Sequence, residues 1–417
     1  MIHQFALTSL FALIVALAAC GDAKESPPSP SDFVVAKPQG AVRVASFNMH
    51  LFREAPGGLI ADLEDPASDQ IAAVTEIVQR VRPDILVINE FDYDADGEAL
   101  RLFQERWLAQ GLNGAAPIAY PHSFLAPSNT GVPTGVDLDR NGSTDGPGDA
   151  QGFGEFPGQY AMAVLSQHPI AREDIRTFRK FLWTDMPGAL LPDDPETPAP
   201  ADWYSEEALA VLRLSSKSHW DVPIKVDGAQ LHLLASHPTP PGFDGPEDRN
   251  GRRNHDEIRF WADYVAPGRG DYIYDDAGKR SGLEPGARFV IAGDLNADPN
   301  DGGGRSGAIA QLLAHPDINA EPAPASAGGA EQARLQGGVN AKHRTPPAYD
   351  TSDFSDEPPG PGNLRIDYVL PSRASLETLS AGVFWPTADD PMFRLVGTYP
   401  IVSSDHRLVW IDLRLQD

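Results

Sequence analysis

The chain is poor in three things. It has one cysteine among 417 residues, which excludes an internal disulfide framework and a cysteine-ligated zinc site. It is poor in positive charge: 33 Lys and Arg face 59 Asp and Glu, for a net charge of −26. Long DNA is held largely through its phosphates, and a chain this acidic has no broad basic surface to offer them. It also has a single long apolar run, at the amino terminus, and no second stretch is long enough to cross a bilayer. No internal repeat is visible. Against these shortages stand 38 Gly and 39 Pro, well above the usual share of roughly 12% for the two together. That excess points to a loop-rich fold. Apolar residues make up 41%, enough for a sizeable core and too many for a disordered chain. Length alone allows one large domain or two to three ordinary ones.

The amino terminus accounts for the cysteine. Phe5 to Ala19 is apolar, broken only by Thr8 and Ser9, and is shorter than the span of about 20 residues that a membrane helix needs. It ends in Leu17-Ala18-Ala19-Cys20, which resembles the lipobox of bacterial lipoproteins. The resemblance implies a signal peptide over residues 1–20, cleavage before Cys20 and lipidation of its thiol. The domain would then be held in the cell envelope, outside the cytoplasm, touching the membrane through a lipid anchor only. The segment before the apolar run carries no Lys or Arg, only the amino group and His3. The alternative is an ordinary cleaved signal and a secreted protein. Residues 21–40, with Pro27, Pro28, Pro30 and Pro38, read as an extended tether.

From Ala41 onward, short apolar runs bounded by turn residues predict strands at Val42–Asn48, Ile85–Asn89, Ala161–Ser166, Leu231–Ser236, Phe289–Ala292, Ile366–Leu370 and Leu408–Leu413. Apolar residues at helical spacing predict helices over Ser68–Val81 and Asn254–Val265. Alternating strands and helices argue an α/β architecture. Long Gly-, Pro- and Asp-rich loops are expected at about 127–158, 186–202, 238–253, 298–308 and 321–362. No clean linker divides residues 41–417, which favours one domain and, with nothing to suggest an oligomer, a monomer.

Several of these strands end in a residue with chemistry. Asn48 lies in RVASFNMH, Glu90 in DILVINEFD and His237 in LLASHPTPP. Asp294 and Asn296 lie in VIAGDLNADP, Asp367 in LRIDYVLPS, and Asp405 and His406 in SSDHRLVWIDL. One such carboxylate would more often be a cap or a turn former. Together they offer oxygen ligands for a hard divalent cation such as Mg²⁺ or Mn²⁺, and nitrogen donors for a phosphate.

The order of these segments, above all GDLN followed much later by SDH, resembles the endonuclease/exonuclease/phosphatase superfamily over about residues 41–414. The resemblance implies a four-layer α/β/β/α sandwich of two mixed sheets with the site at one edge. It implies that Glu90, Asn48 and Asp405 hold the metal and that Asp294 orients or deprotonates the attacking water. Asn296 would hydrogen-bond a phosphate oxygen. His406 would contact the phosphate, with Asp367 fixing its ring. His237 would contact phosphate and protonate the leaving group, although its loop departs from common family patterns and its acidic partner is not evident.

Four further features stand beside the main set. Asp137, Asp139, Asn141 and Asp145 have the D-x-D-x-N-G-x-x-D spacing of a calcium loop. The twelfth position is Gly148 and not Glu, so a structural Ca²⁺ competes with a solvated Asx-turn loop. Arg249, Arg252 and Arg253 either clamp a substrate phosphate, Arg252 and Arg253 foremost, or pair with Glu247, Asp248, Asp256 and Glu257. Gln159 and Tyr160 precede a strand where some relatives place a phosphate-contacting Tyr. The glycine run Asp301–Gly307 reads as a flexible loop, since no strand and helix flank it as a P-loop requires.

The reading is a divalent-metal-dependent hydrolase of phosphate esters. It would act as a phosphodiesterase or nuclease on nucleic acid or a small organic diester. The alternative is a phosphomonoesterase on sugar or lipid phosphates. A third is an inactive calcium-binding surface protein.

Overall fold

The computed structural model describes residues 34–398 and 401–416. The signal segment, Cys20 and residues 21–33 of the tether lie outside them. Residues 34–40 lie against the domain. Val35 donates its N–H to the Arg80 carbonyl at 2.9 Å. The buried Arg43 guanidinium donates to the carbonyls of Val35, Ala36 and Val81, and pairs with Asp412 at 2.7 Å. Packing of the chain therefore starts ahead of Ala41.

Two mixed sheets form the centre. The first runs, in spatial order, Leu376–Val383, Val409–Leu415, Val42–Leu51, Ile85–Phe91, Met162–Ser166, His122–Leu125. The second runs Asp367–Pro371, Phe289–Asp294, Ala229–Ser236, His219–Val226, Arg176–Thr177. In each sheet one pair is parallel: Val42–Leu51 with Ile85–Phe91, and Ala229–Ser236 with Phe289–Asp294. The other pairs are antiparallel.

Side-chain alternation along the strands stacks these sheets. In the second sheet Leu231, Leu233, Ala235, Val290, Ala292 and Val369 pack into the core shared with the first sheet. Their neighbours Leu234, Phe289, Ile291, Tyr368 and Leu370 face the opposite way, onto Ile258, Trp261 and Val265 of the helix Arg249–Val265. The helix Asp69–Val81 closes the other side with Ile71, Val74, Ile77, Val78 and Val81, all buried. Each such aliphatic side chain is worth about 1.5–3 kcal/mol on burial. That helix stops at Arg82, which takes the left-handed conformation (φ 54°) just before Pro83. The result is the α/β/β/α sandwich.

The seven expected strands are all present, with ends shifted by a few residues. Sequence reading missed others. His219–Val226 alternates Trp220, Val222, Ile224 and Val226 toward the core, but Pro223 at its centre masked the pattern. The loop expected over 321–362 contains a helix, Ala327–Gln336, whose two glycines and weak apolar face concealed it. The second expected helix starts earlier, at Arg249.

Candidate active site

The parallel strands of both sheets end at one edge, and the antiparallel strand Asp367–Pro371 begins there. Ends of strands are where backbone direction changes and side chains can converge from different elements. Asn48 and Glu90 come from the first sheet. Asp294 ends its strand in the second sheet, His237 follows the neighbouring strand, and Asp367 opens the third. Asp405 and His406 lie just ahead of Val409–Leu415.

Asp294 is the hub. Its Oδ2 accepts from Asn48 Nδ2 at 3.1 Å and lies 3.4 Å from His237 Nε2 and 3.7 Å from His406 Nε2. Its Oδ1 accepts the Asn296 N–H at 2.9 Å. Its own N–H donates to Asn89 Oδ1, so two hydrogen bonds stitch the sheets together at this point. His237, whose acidic partner the sequence left open, faces Asp294. His406 Nδ1 lies 2.9 Å from Asp367 Oδ2, and Thr351 Oγ1 donates to that same oxygen.

Several of these residues hold backbone conformations that side chains resist. His50 (φ 53°), Glu90 (φ 56°), Tyr160 (φ 56°) and Asn296 (φ 52°) are all left-handed. Such strain persists where the surroundings over-determine it, and it clusters at functional sites. Gly293, in the segment ending at Asp294, has φ 151°, and a Cβ there would sit 1.9 Å from the Ser236 carbonyl oxygen. Only glycine lets the strands carrying His237 and Asp294 lie so near.

Burial and charge set the protonation states. Burial alone would lower His406, but the Asp367 and Asp294 carboxylates outweigh it and hold the ring well above the ordinary histidine value. Asp294 is driven up by burial and still held below the usual carboxylate range by the His406 charge. Asp405, also opposed by burial, is brought down to about 2, chiefly by the hydrogen bond from His50. Burial pushes His237 down, and the neighbouring Lys217 ammonium adds to this. Both effects favour the neutral imidazole.

Asp294, Asp405 and His406, with Glu90 and Asn296, floor a pocket of roughly 740 Å³. Its walls are apolar: Phe52, Tyr160, Pro241, Phe243, Phe354 and Leu364. Phe243 is 92% exposed, standing at the rim. No Lys or Arg lines the pocket among the described residues, whereas Glu90, Asp294, Asp298, Asp301 and Asp405 do.

Two expectations need correction. Arg253 does not face the pocket. It is buried, and its guanidinium donates to the carbonyls of Leu214, Gln151 and Arg213. Arg252 reaches the Leu191 carbonyl and Arg249 pairs with Glu247, so the three arginines form no phosphate clamp. Tyr160 lines the pocket, while its neighbour Gln159 bonds the Arg53 carbonyl and the Glu155 N–H. In the loop after Asp137, the acidic group comprises Asp137, Asp139 and Asp149. Asp145 is exposed and outside it.

Sequence reading missed His50. Its Nδ1 lies 3.0 Å from Asp405 Oδ1, and its N–H donates to Asn48 Oδ1. The signal was its place two residues after Asn48. Asp92, whose carboxyl burial pushes up to about 7, accepts the N–H groups of Arg53 and Tyr160. It was missed because a carboxylate that binds backbone leaves no spacing pattern.

A pocket with this floor, at the edge of this sandwich, defines a metal-dependent hydrolase of phosphate esters. The chain belongs to the endonuclease/exonuclease/phosphatase family, whose model matches residues 45–406. Among solved structures it is similar to an endonuclease/exonuclease/phosphatase from Beutenbergia cavernae, at 18% identity and TM-score 0.48, covering 91% of this chain and 72% of that one. It is similar to the human nocturnin catalytic domain with bound sulfate at 14% identity and TM-score 0.44, covering 91% and 97%. It is also similar to truncated TDP2 from Caenorhabditis elegans at 14% identity and TM-score 0.43, covering 90% and 97%. No curated protein matches the chain.

Proposed function

We propose that the chain is a phosphodiesterase acting on a small or short organic diester. The observation that carries this is the charge of the pocket lining: five carboxylates and no Lys or Arg among the described residues. A monoester dianion would meet that lining with twice the charge of a diester monoanion. The apolar walls suit an organic group on the phosphate, and the acidity disfavours long duplex DNA.

The donor set fits a hard cation, Mg²⁺ or Mn²⁺. The Glu90 carboxylate faces the pocket and accepts no hydrogen bond among the described residues, and Asn48 Oδ1 has a lone pair beyond the one taken by the His50 N–H. Glu90, Asn48 and Asp405 would hold the ion, which when bound lowers the pKa of water and offsets phosphate charge. Asp294, held below the usual carboxylate range, orients the attacking water by accepting its hydrogen. Asn296 gives one amide hydrogen to the Pro238 carbonyl and keeps the other for a phosphate oxygen, without the repulsion an Asp would bring. His406 supplies a positive donor, its ring fixed by Asp367. Neutral His237 has a single N–H, and with Nε2 3.4 Å from Asp294 Oδ2 it positions that carboxylate. Phosphoryl transfer asks for such positioning and electrostatics.

The test is hydrolysis of bis-p-nitrophenyl phosphate with Mg²⁺, abolished by EDTA and restored by adding the metal back. A preference for the mono-ester would overturn the diester reading. We also infer, from the Leu-Ala-Ala-Cys20 segment, a lipid-anchored protein of the cell envelope. Cys20→Ala should release it from membranes, and unchanged membrane fractionation would rule out lipidation at this residue.

A further inference from the structure

We propose that Asp137, Asp139 and Asp149 bind one structural Ca²⁺, at a site apart from the catalytic pocket. One carboxylate oxygen of each lies within 4.8 Å of the other two. An acidic cluster alone would carry little, but Asp149 adds an independent sign. It is only 1% exposed. Its Oδ1 accepts the Leu138 N–H at 2.7 Å, while its Oδ2 is buried with no hydrogen-bond partner among the described residues. A buried carboxylate oxygen left unpaired is unfavourable unless a cation answers it.

No protein cation does so among the described residues. Arg140, the one basic residue between Asp137 and Asp149, turns outward to Asp194 and the Trp203 carbonyl and stacks on the Trp203 ring. The local sequence builds the convergence. Leu138 is buried in the core against the long helix, which sets Asp137 and Asp139 on either side of it. Gly148 lies under Asp139, and a Cβ there would come within 2.4 Å of Asp139 Oδ2. A side chain at this position would displace the Asp139 carboxylate from its present place.

Oxygen ligands on a turn-rich loop, three of them anionic, suit Ca²⁺, which takes six to eight oxygens in flexible geometry. Mg²⁺ demands a tighter octahedron and keeps its waters. Backbone carbonyls and water would complete the shell. The ion would staple the loop where Thr134 donates to the Asp149 carbonyl, ahead of the bridge between Thr130 and Gly152. That loop leads directly to Tyr160 in the pocket wall.

The test uses the metal-stripped mature protein in millimolar Mg²⁺, titrated with Ca²⁺ by calorimetry and followed by thermal unfolding. The expected result is one Ca²⁺ per chain, with Kd on the order of 10⁻⁵ M, and a rise in Tm. Asp139→Asn should weaken binding at least tenfold, and Asp149→Asn should abolish it. Asp139 is only half-buried, so its variant gives the answer even where Asp149→Asn does not fold. Glu90→Gln should keep the Ca²⁺-dependent rise, separating this site from the catalytic one. The proposal is overturned by no response to 1 mM Ca²⁺, by equal affinity for Mg²⁺, by binding unchanged in Asp139→Asn, or by binding lost in Glu90→Gln.

Discussion

Asp294 and Asp367 stand directly opposite each other in adjacent antiparallel strands, and both are buried. Like charges so placed destabilise a sheet. His406 answers both, with Nδ1 2.9 Å from Asp367 and Nε2 3.7 Å from Asp294. The imidazolium is thus part of the fold as well as of the chemistry. His406→Ala should lower turnover by about two to three orders of magnitude and also lower Tm. Asp367→Asn added to that variant should recover part of the Tm and none of the activity. A Tm unmoved by His406→Ala would defeat this account.

Asp294→Asn keeps the shape of the hub and removes its charge. Turnover should fall by about two orders of magnitude or more, measured at saturating Mg²⁺ with circular dichroism confirming the fold. Near-normal turnover would remove Asp294 from the mechanism.

Phe243 stands almost fully exposed at the rim of the pocket. Phe243→Ala should raise KM for aryl diesters several-fold with Tm unchanged, since exposed substitutions rarely alter stability by more than about 0.5 kcal/mol. An unchanged KM across aryl and methyl diesters would show that substrate does not reach the rim.

Arg43 and Asp412 are both fully buried and joined by two hydrogen bonds. Arg43→Ala leaves a charge uncompensated inside the protein and should cost about 3–5 kcal/mol, read from urea denaturation.

Asp350 is buried, and burial, followed by the charges of Asp298, Asp301 and Asp353, pushes its carboxyl up to about 8. Its value in the unfolded chain is about 3.9. Between those limits the folded state binds the proton more tightly. Stability therefore falls as pH rises through this window, by at most about 1.4 kcal/mol per pH unit from this group. Asp350→Asn should flatten the decline between pH 5 and pH 8. Parallel stability curves for the two proteins would rule the effect out.

How far could the site be read ahead of the structure? Residues at strand edges carried most of it, because apolar runs ending near Asn48, Glu90 or Asp294 mark both a strand and its edge, while His406 lies just ahead of its strand. What could not be read were interactions that pair a side chain with backbone. Arg253 looked like a free cation because nothing in a sequence shows that three carbonyls await it. Asp149 escaped the calcium pattern because the ninth and twelfth positions of the standard loop drew attention first, whereas burial chose the residue after Gly148. The strand His219–Val226 was hidden by Pro223, whose neighbours alternate cleanly once it is ignored.

The seam at Gly293 bears on how such an enzyme can change. Loops around the pocket can lengthen or exchange side chains at little expense, and new substrates can be explored there. A single methyl group at Gly293 would instead wedge apart the two strands that carry His237 and Asp294. Variation in this chain is therefore channelled: specificity can drift at the rim, while the spacing of the reacting groups has almost no neighbouring sequence through which to drift.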